Sequence, residues 1–122
     1  GFRYVTTVYW DKQRNGMGFW YRNYVEELLV CIRGHVPAFG SQLPNIVHCP
    51  PVKKVDSQGI EHSAKPPVFR RLIEESTGMA TSGRNVELFA RERVPGWAAM
   101  GHDVSGGRDI RADILDYLQG AR

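Results

Sequence analysis

Residues 3–10, Arg-Tyr-Val-Thr-Thr-Val-Tyr-Trp, are β-branched or aromatic at almost every position. Such side chains suit a pleated, half-buried surface, so the run predicts a strand. Residues 11–18 (DKQRNGMG) follow with Asn15-Gly16 turn chemistry and read as a mobile, exposed loop. Residues 28–32 form the longest apolar run and predict a second, fully buried strand that Gly34 ends. These runs commit the first part of the chain to sheet.

The rest is punctuated rather than periodic. Phe19-Trp20-Tyr21 sets three aromatics in a row, and residues 22–27 fit a short helix with Asn23 as N-cap and Glu26 at its third position. Residues 35–66 carry five prolines and read as irregular, apart from a short strand at Asn45-Ile46-Val47-His48. A long irregular stretch in a compact domain is often functional. Pro66-Pro67 opens a helix that runs to Glu75 on Val68, Leu72 and Ile73, and Ser76-Thr77-Gly78 ends it. Residues 85–90 (NVELFA) predict a third strand, Pro95-Gly96-Trp97 a turn, and residues 110–118 a terminal amphipathic helix. Strand, loop, strand, helix, strand is an α/β order, and three strands are few for a complete doubly wound sheet, so the chain reads as half of one.

Composition narrows the class. The chain has 122 residues, 42% hydrophobic and 24% charged, which is ordinary globular usage for one domain. It contains no apolar run near the ~18 residues that cross a bilayer. Its opening does not read as a signal peptide, and its first residue is not Met, which fits a processed chain or a piece of a longer one. The net charge of +3 is compatible with a polyanionic partner without requiring one. Cys31, inside the apolar run, reads as a small core residue, and Cys49 lies beside Pro50-Pro51. No disulfide framework is suggested, so the expected compartment is the reducing cytoplasm.

Four blocks carry a resemblance. The first is Asp11-Lys12 after a strand, then GMGFWYRN at 16–23, Glu26 and residues 28–30. The second is Arg33-Gly34 with Pro37; the third is His62-Ser63-Ala64-Lys65-Pro66 before a helix. The fourth is residues 87–91 (ELFAR), followed by Pro95-Gly96-Trp97 and Gly101. In this order and spacing, over residues 1–104, the chain resembles the MT-A70 family of adenine methyltransferases, with the flavour of its bacterial and phage branch. The resemblance implies a Rossmann-like, S-adenosylmethionine-dependent methyltransferase fold. It implies transfer of a methyl group to the exocyclic N6 amine of adenine in DNA or RNA. The family's catalytic Asp-Pro-Pro-Trp, expected upstream of residues 3–10, is not among these residues. The chain is therefore expected to be the C-terminal part of such a domain, residues 1–122, with 105–122 a terminal helical extension. The usual Gly is Cys31 here, and His102-Asp103 stand where Asn and an acidic or amide residue are usual.

Methylating an aromatic amine requires acceptors that localise its lone pair, a methyl group held in line, and an oriented base. The resemblance assigns the acceptors to the absent motif, so no catalytic residue is expected in this chain. Lys65 is the expected cofactor contact, its ammonium suited to the methionine carboxylate; the plain alternative is a surface lysine before a helix. Arg91, after a strand, suits a ribose or carboxylate contact, or is a solvated strand-end arginine. His102 and Asp103 match cofactor-touching positions. Asn23 and Glu26 correspond to positions near the target base, and Glu26 is expected either to pair with Lys65 or to cap a helix. Trp20 and Tyr21 either stack on a base or belong to the core, and Lys12, Arg14, Arg22, Lys53 and Lys54 are candidate phosphate contacts. His62 is expected to anchor its loop, and no metal is expected. The glycines at 16–18 suit a gate better than a phosphate cradle.

The expected partners are a nucleic-acid substrate and a missing N-terminal half or partner subunit, with no membrane and a tendency to self-associate as half a sheet. The competing reading is a catalytically inactive nucleic-acid-binding or pairing module of the same fold.

Overall fold

The computed structural model describes residues 1–55, 59, 61–79 and 85–120. The chain divides into two compact units, Gly1–Thr77 and Gly78–Arg122. Among the described residues each unit mixes strands with one helix, so the chain is a small mixed α/β protein.

The first unit is built on β1 (Arg3–Asp11) and β2 (Val25–Ile32), paired antiparallel, with β3 (Ile46–His48) parallel to β1 on its other side. A bulge falls between Tyr4 and Thr6, where the register shifts. It brings Tyr4 and Thr7 to one face, where their hydroxyls hydrogen-bond at 2.8 Å. The register then assigns Trp10, Val8, Glu26, Leu28 and Val30 to one face of the sheet. Tyr9, Leu29, Val25 and Ile46 fall on the other. That second face is open: Leu29 is 60% and Tyr4 58% exposed.

Three expectations change here. Residues 22–27 do not form a helix, because Asp11, Trp10 and Tyr9 pair with Val25, Glu26 and Glu27 and draw them into β2. A ladder of backbone bonds outweighs a capping box worth about 1 kcal/mol. Residues 28–32 are not fully buried either, since β2 alternates between half-buried and exposed positions, as an antiparallel strand with one covered face does. Cys31 falls on the exposed side and is no core residue.

Residues 35–66 hold more order than expected. Besides β3 they contain a hairpin of β4 (Val52–Val55) and β5 (Glu61–Ala64). The helix α1 (Val68–Thr77) begins after Pro67. It ends where Ser76 and Thr77 hydroxyls donate to the Leu72 and Ile73 carbonyls, each at 2.7 Å, and Gly78 takes a φ of +68°.

The second unit pairs β6 (Asn85–Leu88) with β7 (Trp97–Met100) in parallel. Pro95-Gly96 forms the expected turn, but Trp97 already belongs to β7. Among its described residues Ala90, Met100 and Val104 are the buried apolar ones, at 1%, 4% and 4% exposure. The helix α2 (Ile110–Gly120) is capped by Asp109, whose Oδ1 accepts from the Arg111 and Ala112 amides. No described helix is long and apolar enough to cross a membrane.

Candidate functional site

In the first unit, chemistry gathers at the covered face of β1 and β2. Trp10 is 2% exposed. Its indole N–H donates to the Cys49 carbonyl at 2.6 Å, and its ring meets Phe69 of α1 edge-on, with centroids 5.4 Å apart. The residue preceding Pro66 is turned over that indole: the Lys65 ammonium lies 5.3 Å from the Trp10 ring centroid, within cation–π range. The same ammonium donates a hydrogen bond to the Glu26 carboxylate, the partner expected of it. Lys12, at the end of β1, approaches the other Glu26 oxygen at 3.5 Å. Trp10, Glu26, Leu28, Lys65 and Phe69 line a small open cavity of about 120 Å³.

Two cations on one carboxylate set its charge. Partial burial pushes the Glu26 carboxyl up, but the hydrogen bond and charge of Lys65, and then those of Lys12, outweigh it and hold the group below the ordinary glutamate range. A carboxyl depressed in the folded state binds fewer protons there than in the unfolded chain. Its contribution is therefore present above the unfolded pKa and lost as pH falls through the folded one. With Glu26 over a third exposed, that contribution is below about 1 kcal/mol. Thermal melts of the parent and Glu26→Gln are expected to differ at neutral pH and to converge in the acid range below the ordinary glutamate pKa; a gap that persists there would show that the charge is not the cause.

A larger cavity of about 450 Å³ opens on the same sheet face, lined by Val5, Val8, Val30, Ile32, Phe39 and Leu72 among others. Arg3 is the one ionisable residue among those lining it, and Thr6, Ser41, Gln42, Asn45 and Ser76 add polar side chains to a mostly apolar wall. At the edge of β1, Asp11 accepts from the Gln13 amide at 2.9 Å and pairs with His48 at 2.8 Å. The amide first and then His48 lower its pKa.

In the second unit, candidate groups follow the carboxyl ends of the parallel strands, where open α/β sheets collect ligands. Arg91 lies beyond β6 and Asp103 beyond β7, and their side chains approach at 3.8 Å. His102 is exposed beside them in sequence. Arg93 is turned to the Ser105 carbonyl, which it meets through Nε and Nη2. Behind this edge Asp113 of α2 accepts from the Gly101 amide at 3.1 Å and the Arg108 amide at 3.2 Å. The Arg108 amide is the main cause of its lowered pKa, with burial opposing and the Gly101 amide adding to it. Asp113 thus ties the turn that carries His102 and Asp103 to the helix.

The model of the MT-A70 family matches residues 1–103. The chain belongs to the MT-A70 family. Members of this family are S-adenosylmethionine-dependent adenine-N6 methyltransferases, so the parent activity is methyl transfer. No curated protein matches the chain.

Against the residues expected of an MT-A70 chain, the structure brings Glu26 and Lys65 together, and Arg91 and Asp103 together. Trp20 is 93% and Tyr21 87% exposed, so neither is a core aromatic. Asn23 caps no helix; its backbone carbonyl accepts from the Gly16 amide at 3.0 Å. His62 lies in β5, and its side chain, like that of Lys54, is outside what the structure describes. Lys12 faces Glu26 rather than solvent. Among the described residues no three His, Cys, Asp or Glu side chains cluster as a metal site. Trp10 and Phe69 were missed as site residues. The signal for Trp10 was its place as the last aromatic of β1, since alternation along that strand puts it on the face of Val8.

Proposed function

We propose that this chain provides the cofactor- and substrate-contacting part of an adenine-N6 methyltransferase of Rossmann-like fold. The observation that carries the reading is the Lys65 ammonium held between Glu26 and the Trp10 ring at the mouth of a small cavity. When bound, S-adenosylmethionine would supply an electrophilic sulfonium methyl group. The residues suit such a ligand chemically: a cation for its carboxylate, an apolar aromatic wall, and in the second unit a carboxylate and a guanidinium for hydroxyl and amine groups. On this reading Lys65 binds the carboxylate end of the cofactor and Glu26 sets the Lys65 rotamer, and within the second unit the family resemblance proposes Arg91, His102 and Asp103 as cofactor contacts. Trp20, Asn23 and Glu26 then face the nucleic-acid substrate.

Asp-Pro-Pro-Trp is not among the 122 residues. The acceptors that make the adenine amine nucleophilic are therefore assigned to another segment or to a partner subunit. The open face of the first unit, with Leu29 and Tyr4 more than half exposed, supports such an association. The alternative is an inactive nucleic-acid-binding module of the same fold, a reading that the missing motif also fits.

The test is methyl transfer by the natural gene product to adenine in single- and double-stranded DNA and RNA. N6-methyladenine in any substrate supports the reading; none in all four overturns it. Within that protein Lys65→Ala is expected to weaken S-adenosylmethionine binding about tenfold or more, the scale of one charge-assisted hydrogen bond of about 1.5–3 kcal/mol. Lys65→Arg should recover part of it. Calorimetric titration reads both, and unchanged affinity in the alanine variant would remove Lys65 from the cofactor site.

A further inference from the structure

The loop between β1 and β2 is the most exposed apolar feature of the first unit. Met17 is 88%, Phe19 108%, Trp20 93% and Tyr21 87% exposed. Contiguous exposed aromatics on a soluble chain mark a binding surface. The loop is also shaped. Its neck is closed by the Lys12 amide donating to the Tyr24 carbonyl at 2.9 Å and the Gly16 amide to the Asn23 carbonyl at 3.0 Å. At its tip a Cβ on Gly18 would lie 2.0 Å from the Tyr21 carbonyl oxygen, so only glycine permits this turn. The aromatics are thus held outward by a tight turn.

Charge selects the occupant. Residues 12–24 contain Lys12, Arg14 and Arg22 and no carboxylate. Lys12 is engaged by Glu26, whereas Arg14 and Arg22 are exposed around the aromatic tip. Planar aromatic faces beside guanidinium groups match a polymer of planar bases and phosphates. We infer that residues 12–24 form a stacking finger for an unpaired polynucleotide strand, Phe19 and Trp20 lying against bases and Arg14 and Arg22 meeting phosphates. The finger deepens the adenine-methyltransferase reading and rests on it for its place beside a target base. Its neck residue Lys12 touches Glu26, which also holds Lys65, so the finger rises beside the small cavity. Unpaired strands are favoured because the base faces of a duplex are already stacked, and opening a step costs a few kcal/mol.

Tryptophan fluorescence of the full chain tests this without reading methyl transfer or cofactor binding, so its failure is separable from failure of the proposed function. Trp10 is buried and Trp97 of β7 half-buried, and Trp20→Phe removes the finger's signal while keeping a stacking ring. Titration with a single-stranded oligonucleotide is expected to quench the parent and to quench Trp20→Phe much less, while anisotropy of a labelled strand shows that Trp20→Phe still binds. A double variant, Phe19→Ala with Trp20→Ala, is expected to bind about tenfold more weakly or worse, and Arg14→Ala with Arg22→Ala to flatten the salt dependence. A deoxyribose and a ribose strand of one sequence are both run; quenching by either supports the finger, and the tighter names the sugar. Affinity unchanged in the double alanine variant, equal binding of duplex and single strand, or a blue shift with phosphatidylglycerol vesicles but no response to any oligonucleotide would each overturn it.

Discussion

Replacing Trp10 with alanine is expected to cost the first unit about 3–5 kcal/mol, the usual range for deleting a buried large aromatic. The ring is 2% exposed, meets Phe69 edge-on and lies beneath the Lys65 ammonium, so its removal opens a void at the join of β1, β3 and α1. It also leaves the Cys49 carbonyl without its indole donor. A domain of this size has about 5–15 kcal/mol in total, so much of the margin would go. Trp10→Phe narrows the cause: it loses the indole donor, a hydrogen bond worth about 1 kcal/mol, and leaves a much smaller void than alanine does. Denaturant unfolding followed by circular dichroism reads both variants. An alanine variant within about 1 kcal/mol of the parent would mean that the indole does not organise this face.

Gly107→Ala is expected to disrupt the second unit as sharply, for a different reason. A Cβ at residue 107 would lie 1.9 Å from the Gly101 carbonyl oxygen and 2.9 Å from that of Val104. Both are backbone atoms, and no rotamer change can clear them. The Gly107 amide also closes a turn onto the Val104 carbonyl at 2.8 Å. Overpacking that forces backbone to move costs about 1–3 kcal/mol and occasionally more. The consequence reaches the candidate site, because Gly101 precedes His102 and Asp103 and is held by Asp113. Loss of the Arg91–Asp103 approach should accompany the loss of stability. Gly120→Ala is the control: its Cβ would meet nothing within 4 Å, so its melting temperature should equal or slightly exceed that of the parent. A Gly107 variant that melts with the parent would show that the turn is not as tight as the geometry requires.

Much of this arrangement was legible in the order of residues. The strand at 3–10, the helix opened by Pro66-Pro67 and a strand beginning at Asn85 all depend on near neighbours, and all three are present, although β6 stops at Leu88 rather than Ala90, where Phe89 takes a φ of +57°. The pairing of Glu26 with Lys65 was legible too, once the MT-A70 resemblance drew both toward one pocket. The misses share a cause. The β4–β5 hairpin is two short polar strands, Val-Lys-Lys-Val and Glu-His-Ser-Ala, whose pattern is too weak to mark a strand. In β7, Trp-Ala-Ala-Met carries two alanines, which are poor strand formers. Residues 22–27 satisfy a helix cap locally, yet the strand beside them offers a full ladder.

Local chemistry therefore decided where strands, turns and helix ends fall, because backbone preference and capping act over a few residues. Only the folded chain decided which side of β2 is covered. A bulge and a register, not composition, send Cys31 outward and Glu26 inward. The same non-local pairing brings Lys65 to a carboxylate 39 residues away and over the ring of Trp10. A side-chain period of two means that a slip of one residue would exchange those faces and dissolve the site.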